Sequence, residues 1–533
     1  MASPYNQTFL ANQLRSDSFL PFGFGDAADR RNRVEAAAQR SVRPEVLALL
    51  QAQNEALPPS AARLANLEAL RRPGTVVAIS GQQVGLLLGP LYTVYKAATA
   101  VVVSRLLQAE TGRCCVPLFW LQTEDHDFAE IASALTWRPQ GPLRLTLSDD
   151  PALERCSVAQ RRLPADVAAV LAPLAETLEP LPHGAEVLAM IREAYAPGRT
   201  LAEAFARLLG GLFAEEGLLL FDPRSKVVAR LAAPLLRRSI TERADLEALL
   251  ATRAEALRAA GFTEQVHLRP GSPLAFFHLD RAEGPRYRLD AAGEGFTLPT
   301  APPGLISEAE LLQVLETDPQ RFSTSALLRP LLQDTLFPTA AYVGGPAEVG
   351  YFAQMMPLYG HFGLEPPLVV PRARFRLLLP QTRRVLEVLG LTASEAERPL
   401  SELTQQLTTA LLPAEQAPGE AWLAEVEARL GGFEQIAEVL DPGLYKAVER
   451  TRNTLRRAVG RLGRGAHRVA ASKDSILSER LARLSGALYP DGAPQERSLC
   501  FAAFAAAVGP GQLVQTILGT LEPLKPLVKE VSL

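Results

Sequence analysis

The chain has 533 residues, of which 47% are hydrophobic and 21% charged, a composition typical of folded globular proteins and not of disordered chains. Lys plus Arg (55) nearly balances Asp plus Glu (58), so no charge excess attracts a polyanion and we expect no nucleic-acid partner. The sequence shows neither a signal peptide nor a run of about 20 apolar residues, so we expect a cytoplasmic protein without a membrane partner.

A strand–helix–strand unit is predicted in the first part of the chain, after a helical region at 27–71. The runs TVVAIS (75–80) and CCVPLFWL (114–121) are typical of strands, and LYTVYKAATAVVVSRLL between them is long enough for a crossover helix. Such a unit places both strands parallel in a sheet that is covered on both faces. GLLLFD (217–222), TAAYVGG (339–345) and PPLVVP (366–371) are predicted to extend it. The fold class is therefore α/β with a doubly wound parallel sheet.

A long apolar stripe predicts a helical arm after the sheet. Its members recur every three or four residues: Trp422, Val426, Leu430, Phe433, Ile436, Leu440, Leu444, Val448, Thr451, Leu455, Val459 and Leu462. Asp441 fits an N-cap with Pro442 at the first helical position, so the arm is predicted to turn there into an antiparallel hairpin. The stripe predicts a homodimer formed through the arm, although a hairpin that buries its own stripe explains the same pattern.

The chain is too long for one hydrophobic core, so we expect several structural parts. They are a first core part (1–150), a mainly helical insertion (151–205), a second core part (206–261), a small β-containing insertion (262–305), a last core part (306–379), the coiled-coil arm (380–487) and a C-terminal return to the core (488–533). The four cysteines form no CxxC pair, and we expect them to be buried thiols.

The first candidate binding turn follows the first predicted strand, in ISGQQVGLLLGP (79–90). Ligands of open α/β sheets bind beyond the carboxyl ends of the strands, where glycine allows close backbone approach. Gln82 and Gln83 both donate and accept hydrogen bonds, which suits a polyol or an amide. Gly81 and Gly85 are expected to make room for the ligand, although a plain structural turn has the same glycines. The lack of GxGxxG and GxxxxGK[ST] disfavours an ordinary dinucleotide or P-loop site.

The second candidate turn crowds carboxylates around one imidazole, in FWLQTEDHDFAE (119–130). Neighbouring carboxylates raise the pKa of a histidine and orient its ring, as a general base requires. We therefore predict Glu124, Asp125, His126 and Asp127 as catalytic residues and Glu130 as a substrate contact. A helix-capping acidic turn is the structural alternative, and carboxylates with an imidazole also suit a divalent metal.

The third candidate turn, YVGGPAEVGYFAQ (342–354), repeats the strand, glycine turn and helix pattern. Glu348 and Tyr351 lie one helical turn apart on one face, and Gly344 and Gly345 form the turn before them. We predict that the three turns line one crevice around His126. Arg329 in TSALLRPLLQD, with Arg372 and Arg374 in VVPRARF, could bind a carboxylate or a phosphate, although surface ion pairs are the commoner use of arginine.

Four long motifs carry a family resemblance: GQQVGLLLGPLYTVYKAATA, PLFWLQTEDHDFAEI, RPLLQDTLFPTAAYVGGPAEVGYF and PLYGHFGLEPPLVVPRARF. In this order, and together with the arm and PDGAPQER after it, they resemble the cysteine-adding enzymes of bacillithiol biosynthesis, the BshC family. The resemblance spans most of the chain. It implies a Rossmann-like core with two connecting-peptide insertions and a coiled-coil domain that mediates dimerisation.

The resemblance also implies a reaction, in which cysteine is joined to the amine of malyl-glucosamine in the last step of bacillithiol formation. Carried over by motif, the residues implied in the substrate cleft are Gln82, Gln83, Tyr92, Lys96, His126, Asp127, Glu348 and Tyr351. The family is associated with a nucleotide, ATP or ADP, between core and arm, and the candidates here are Gln495, Glu496 and Arg497.

The turn GPLYTVYKAATA is similar to the GPLHIGHA turn of class I aminoacyl-tRNA synthetases, whose two histidines hold ATP phosphates. Tyr92 and Tyr95 stand at those two positions here, which disfavours adenylate formation by that route, although both remain candidate substrate contacts. A divalent metal at the acidic cluster is the alternative means of activating cysteine.

Three functional hypotheses follow. The leading one is an amide-forming ligase in which His126, tuned by Asp125 and Asp127, deprotonates the glucosamine amine. The second is a metal-dependent hydrolase with Glu124, His126 and Asp127 as ligands. The third is a non-catalytic, nucleotide-binding dimeric scaffold for another enzyme of the pathway.

Overall fold

The structure, a computed structural model, describes residues 4–301, 304–408, 418–440, 442–473 and 475–533. The strands are β1 Val76–Gln82, β2 Cys115–Leu121, β3 Ser133–Thr136, β4 Leu143–Thr146, β5 Leu219–Phe221, β6 Ala275–His278, β7 Arg286–Arg288, β8 Asp290–Ala292, β9 Gly295–Thr297, β10 Ile306–Ser307, β11 Phe322–Thr324, β12 Thr339–Gly344, β13 Leu368–Pro371, β14 Arg374–Leu378 and β15 Val528–Ser532.

The α-helices lie between and after these strands. They are α1 Tyr5–Ala11, α2 Ala27–Ala38, α3 Pro44–Glu55, α4 Ala61–Leu70, α5 Tyr92–Thr111, α6 Phe128–Ile131, α7 Val167–Leu178, α8 Gly184–Ala194, α9 Leu201–Leu212, α10 Lys226–Thr241, α11 Arg243–Ala259, α12 Glu308–Thr317, α13 Arg329–Leu336, α14 Pro346–Phe362, α15 Pro380–Leu389, α16 Ala393–Ala396, α17 Leu400–Thr408, α18 Pro418–Leu440, α19 Pro442–Lys473, α20 Ser475–Leu488, α21 Gln495–Ser498, α22 Ala502–Val508 and α23 Pro510–Thr520.

Five parallel strands form the central sheet, in the order β13-β12-β1-β2-β5. β1 lies at the centre and pairs with β2 on one side and β12 on the other. All five predicted strands and the predicted crossover helix, α5, are present, so the α/β fold class is confirmed. Because the strands are parallel, their carboxyl ends meet at one edge of the sheet, where ligands bind in such folds.

Both faces of the sheet are covered by hydrophobic cores. Along β2, Phe119 and Leu121 pack into one core, whereas Leu118 and Trp120 pack into the other. Successive side chains of a strand point to opposite faces, so a strand buried on both sides must be apolar at every position. This explains why the strands could be recognised as continuous apolar runs.

A strained turn connects β1 to α5. Leu87 and Leu88 adopt positive φ angles of 50° and 69°, which are rare for bulky residues. The Tyr195 hydroxyl accepts a hydrogen bond of 2.7 Å from the Leu87 N–H, and the Leu91 N–H donates to the Leu499 carbonyl at 2.8 Å. The surrounding structure therefore fixes the turn from two distant parts of the chain.

Two regions interrupt the alternation of strands and helices. Residues 151–205 contain α7, α8 and the start of α9. Residues 262–305 contain the short strands β6 to β9, which form two three-stranded antiparallel sheets with β10 and β11. The second region lies beside the carboxyl edge of the central sheet and supplies side chains to it.

The helical arm is an antiparallel hairpin of α18 and α19. Arg452 pairs with Glu434 at 2.5 Å, and Arg456 pairs with Glu427 across the same hairpin. Val448 is buried, whereas Trp422, Phe433, Ile436, Leu444 and Leu462 are exposed. The predicted helical arm is confirmed, but the hairpin buries only part of the apolar stripe. The N-cap predicted at Asp441 lies outside the described residues.

The chain returns to the core after the arm. β15 pairs in parallel with β14, and the Cys500 N–H donates to the Leu135 carbonyl at 2.7 Å. Cys115, Cys156 and Cys500 are buried free thiols, as predicted, and Cys114 is half-buried. Within the described ranges, no single helix is long and apolar enough to span a membrane. The pair α22 and α23 reaches that length and apolar character together, with a 100° bend between them.

Candidate functional site

A cleft of about 440 Å³ opens at the carboxyl edge of the central sheet, and we call it the main cleft. Gln82 ends β1, Glu124 and Asp125 follow β2, and Gly345 and Glu348 follow β12; all five line the cleft. The structure thus brings the three predicted turns together. Tyr92, Lys96, Arg329 and Tyr351 from the predicted set also line it.

Lys96 and Glu348 form an ion pair at the base of the main cleft. The Lys96 ammonium also donates to the Gly81 carbonyl and to Gln82 Oε1, each at 2.9 Å. Burial lowers the pKa of Lys96, and Glu348 opposes that effect. Burial alone would raise the pKa of Glu348, but Lys96 and hydrogen bonds hold it below its ordinary value. Each group therefore offsets the unfavourable effect of burial on the charged form of the other.

Glu348 also connects to a tyrosine–arginine cluster. Its carboxylate accepts hydrogen bonds of 2.6 Å from the Tyr342 hydroxyl and from the Gly345 N–H. The Arg329 guanidinium donates to the hydroxyls of Tyr342 and Tyr351 at 3.1 and 3.0 Å. Burial raises the pKa of Tyr342 and of Tyr351, so both hydroxyls keep their protons. This network makes one wall of the main cleft rigid and polar.

Glu124 and Asp125 are the two residues of the acidic motif that line the main cleft, and their pKa values shift in opposite directions. Burial raises the pKa of Glu124, and Arg224 and Arg286 only partly oppose this. Asp125 behaves differently, because Arg286 and the Gln83 amide outweigh its burial and lower its pKa. Glu124 therefore binds a proton more readily than Asp125. Such a difference allows one carboxylate to act as a base while its neighbour stays an anion.

His126 does not have the properties predicted for it. Its Nδ1 accepts a hydrogen bond of 3.1 Å from Arg286 Nη1, so the ring is neutral with its proton on Nε2. Burial and the Arg286 charge lower the pKa of His126, and Asp125 opposes them only in part. The predicted rise in pKa is therefore wrong. The ring is also absent from the lining of the main cleft, and it contacts the cleft through Arg286.

Asp127 and Glu130 have local structural partners. The Asp127 carboxylate caps α6 by accepting a hydrogen bond of 3.2 Å from the Glu130 N–H, so this part of the motif is a helix-capping turn. Glu130 accepts a hydrogen bond of 2.8 Å from Gln83, whose amide also donates to Asp125 at 2.8 Å. The prediction that Asp127 lies in the cleft is wrong.

Arg286 is the main residue that the sequence did not reveal. It lies on β7, in the β-containing region, and its guanidinium contacts Ser323 Oγ at 2.8 Å and the Thr324 carbonyl at 3.1 Å. It also lies 3.8 Å from Asp125 and stacks 3.6 Å from the centre of the Phe276 ring. Burial lowers its pKa to about 10, so it is still a cation at pH 7 beside the acidic motif.

Several other predicted contacts are corrected by the structure. Tyr95 is fully buried against Phe375, with ring centroids 5.1 Å apart, and it cannot reach a ligand. Gln495 is also buried, and its amide bonds to the backbone of Leu377 and Ala487. Glu496 is buried and pairs with Arg372, which lines the main cleft, and with the partly exposed Arg374. Of the three nucleotide candidates, only Arg497 lines the main cleft.

The glycines of the turns serve the protein's own packing more than ligand approach. A Cβ on Gly81 would lie 2.8 Å from the Trp120 carbonyl, and a Cβ on Gly344 would lie 2.8 Å from Glu348 Cβ. Gly345 lines the main cleft. Close approach is therefore required at Gly81 and Gly344, where the neighbour is a residue of the same chain.

A second cavity of about 280 Å³ adjoins the main cleft, and we call it the side chamber. Gln82, Tyr92 and Arg497 line both cavities. Gln83, Gly85 and Glu130 line the side chamber alone, so these predicted residues are close to the main cleft but outside it. In the part of the chain that the structure describes, no three His, Cys, Asp or Glu side chains form a metal-binding group. Glu124, His126 and Asp127 therefore do not supply the ligand set of the hydrolase hypothesis.

Comparisons with known proteins agree with the Rossmann-like core and the helical arm. The family model described as "Bacillithiol biosynthesis BshC, N-terminal Rossmann-like domain" matches residues 2–373, and the "C-terminal coiled-coil domain" model matches residues 376–529. A protein of Koribacter versatilis is 34% identical over 508 residues, which cover 94% of this chain and 92% of that protein. A protein of Salinibacter ruber is 33% identical over 487 residues, covering 90% and 87%. Both carry the name "Putative cysteine ligase BshC".

Proposed function

This chain belongs to the BshC family of bacillithiol biosynthesis, and on that premise we propose that it is a ligase that joins L-cysteine to malyl-glucosamine. The bond formed is an amide between the cysteine carboxyl carbon and the glucosamine nitrogen. The names of the relatives state cysteine ligation, and malyl-glucosamine is the acceptor that the sequence resemblance implies. The reaction completes bacillithiol.

One observation carries the proposal: acidic and basic side chains both line the main cleft. Glu124 and Asp125 line it together with Arg286 and Arg497. Cysteine and malyl-glucosamine each carry a carboxylate and an amine, so a cleft of mixed charge suits both substrates. Lys96 and Glu348 neutralise each other at the base and leave the acidic motif and the arginines to contact the ligand.

We assign the general base to Glu124. A carboxylate whose pKa is raised by burial accepts a proton more readily than an ordinary one. In this role Glu124 takes the proton from the glucosamine amine as the nitrogen attacks the cysteine carboxyl carbon. Asp125, whose pKa is lowered, stays an anion and holds Arg286 in place. His126 is a positioning residue, because its Nδ1 accepts from the same guanidinium.

The carboxyl oxygen that leaves during amide formation must depart on an activating group. We propose that ATP is consumed as a substrate and transfers that group to the cysteine carboxyl oxygen. The group then leaves together with this oxygen, as phosphate or as a nucleotide. Arg497 is the member of the predicted nucleotide set whose side chain is exposed at the cleft. Gln495 and Glu496 are engaged inside the protein and are left out of this role.

We also propose that the enzyme is a cytoplasmic homodimer. Support for the dimer comes from the arm, where Trp422, Phe433 and Leu462 expose about half or more of their surface. An exposed apolar stripe on a helix pair is typical of an interface with another helix pair. A second copy of the chain presents the same stripe and is the simplest partner.

Reconstitution with purified protein tests the proposal. The protein is incubated with L-cysteine and malyl-glucosamine, with and without ATP and Mg²⁺, and the product is detected by mass. Bacillithiol formation by the purified protein alone would support the ligase and exclude the scaffold hypothesis. A folded protein that forms none under any of these conditions would contradict the proposal.

A further inference from the structure

We propose that the side chamber is the subsite for the small α-amino acid, cysteine, and that the main cleft receives the sugar conjugate. This assignment rests on the proposed ligase function and specifies where each substrate binds. The two cavities share a boundary formed by Gln82, Tyr92 and Arg497. Bond formation between the substrates would take place at that boundary.

One end of the side chamber suits a carboxylate. Thr93 lies in the first turn of the 20-residue helix α5, whose N-terminus has no side-chain cap. Thr93 is 0% exposed and lines the chamber, and its hydroxyl has no hydrogen-bond partner among the residues that the structure describes. A helix N-terminus with a free hydroxyl donor favours an anion. A buried hydroxyl without a partner is costly, and a bound carboxylate would satisfy it.

Arg497 adds a cation at the same boundary. It forms no ion pair with another residue of the described ranges, and its charge reaches Tyr92, where it opposes the rise in the tyrosine pKa that burial causes. A carboxylate placed between Thr93 and Arg497 would therefore face the main cleft. That is the orientation that exposes the cysteine carboxyl carbon to an amine in the neighbouring cavity.

Other residues that line the chamber suit an ammonium group and a short side chain. The Glu130 carboxylate and the Gln83 amide lie on the chamber wall and bond each other at 2.8 Å. Leu88, Ile131 and Leu135 supply an apolar wall. The volume of about 280 Å³ lies just below the range of roughly 300 to 1,000 Å³ usual for ligand sites. A small amino acid fits this space better than the larger sugar conjugate.

A matched pair of variants tests the assignment. Thr324 lines the main cleft and is 5% exposed, and like Thr93 it has a buried hydroxyl without a partner in the described part of the chain. Thr93→Val and Thr324→Val thus delete the same group from different cavities without changing side-chain volume. Binding of L-cysteine and of malyl-glucosamine to the full-length protein is measured separately by calorimetry, and melting temperature checks folding.

We expect Thr93→Val to weaken L-cysteine binding by about three- to tenfold, the usual effect of one hydrogen bond, and to leave malyl-glucosamine binding unchanged. Thr324→Val should weaken malyl-glucosamine binding and leave L-cysteine binding unchanged. Glu130→Gln, an exposed change in the side chamber, should also weaken cysteine binding alone, and it replaces Thr93→Val if that variant does not fold. Cysteine binding that depends on Thr324 and not on Thr93 or Glu130 would overturn the assignment.

The test of the cysteine subsite can fail independently of the test of the ligase function. If wild-type protein binds cysteine with the expected variant pattern but makes no bacillithiol, the amino-acid subsite stands and the ligase proposal fails. If it makes bacillithiol while Thr93→Val and Glu130→Gln leave cysteine binding intact, the ligase proposal stands and the subsite fails.

Discussion

Lys96 and Glu348 form an ion pair that joins the helix after β1 to the helix after β12. Removing one partner of such a pair leaves a charge without compensation, which typically costs about 3 to 5 kcal/mol. We expect Lys96→Met and Glu348→Gln each to lower the free energy of unfolding by about this amount. The double variant should lose less than the sum, because it leaves no orphan charge. Urea unfolding of the four proteins measures this, and strict additivity would contradict it.

The same pair predicts a pH dependence of stability. The pKa of Glu348 is lower in the folded protein than its ordinary value of 4.5. Its contribution is therefore fully present above the unfolded pKa and is lost as pH falls through the lower folded pKa. The stability difference between wild type and Glu348→Gln should be constant near pH 7 and shrink below about pH 4.5. A difference that grows on acidification would show that the sign is wrong.

The role of Glu124 as the base predicts how activity falls at low pH. Because burial raises its pKa above 4.5, the base form is lost at a higher pH than for an exposed glutamate. We expect kcat/KM to fall on acidification with an apparent pKa above 4.5. Wild-type rates measured from pH 4 to pH 9 locate the limb. A profile flat down to pH 4.5 would argue against Glu124 as the base.

The contact between His126 and Arg286 allows a positioning role for the histidine to be distinguished from a role as the base. His126→Ala removes one acceptor of the Arg286 guanidinium, and we expect a loss of about three- to tenfold in kcat/KM. The acid limb should remain, since Glu124 is unchanged. His126→Asn, which keeps an acceptor, should recover part of the activity. If His126→Ala removed the acid limb together with nearly all activity, the histidine would be the base after all.

The exposed apolar face of the arm predicts a dimer. Leu462 on the arm is 76% exposed, and Leu64 on α4 is 57% exposed, which makes them a matched pair of surface leucines. We expect wild-type protein at micromolar concentration to be dimeric by light scattering. Leu462→Asp should shift it towards monomer, whereas Leu64→Asp should not. A monomeric wild type would contradict dimerisation through the arm.

The fold could be predicted because burial leaves a simple pattern in the sequence. Strands of a sheet covered on both faces are apolar at every position, as in β2, and the long arm repeats its apolar stripe many times. The turns after β1, β2 and β12 were predicted to meet for a topological reason, since parallel strands end at the same edge.

The individual site residues were harder to predict. Tyr92 and Tyr95 are three positions apart, but only the first reaches the cleft, because Tyr95 faces Phe375 in a strand far along the chain. The position of Arg286 depends on how a separate β-containing region docks beside the sheet, which no local pattern records. Burial and the Arg286 charge together lower the pKa of His126, which reverses the effect expected from the neighbouring carboxylates.

The acidic motif provides the most direct test of where the bond forms. Glu124 lines the main cleft, whereas Asp127, three residues later, caps α6. Product formation by Glu124→Gln and Asp127→Asn is compared with wild type under saturating cysteine, malyl-glucosamine and ATP. We predict a loss of about 100-fold or more for Glu124→Gln, the usual effect of removing a general base, and nearly unchanged activity for Asp127→Asn. Equal activity of the two variants would contradict amide formation with Glu124 as the general base.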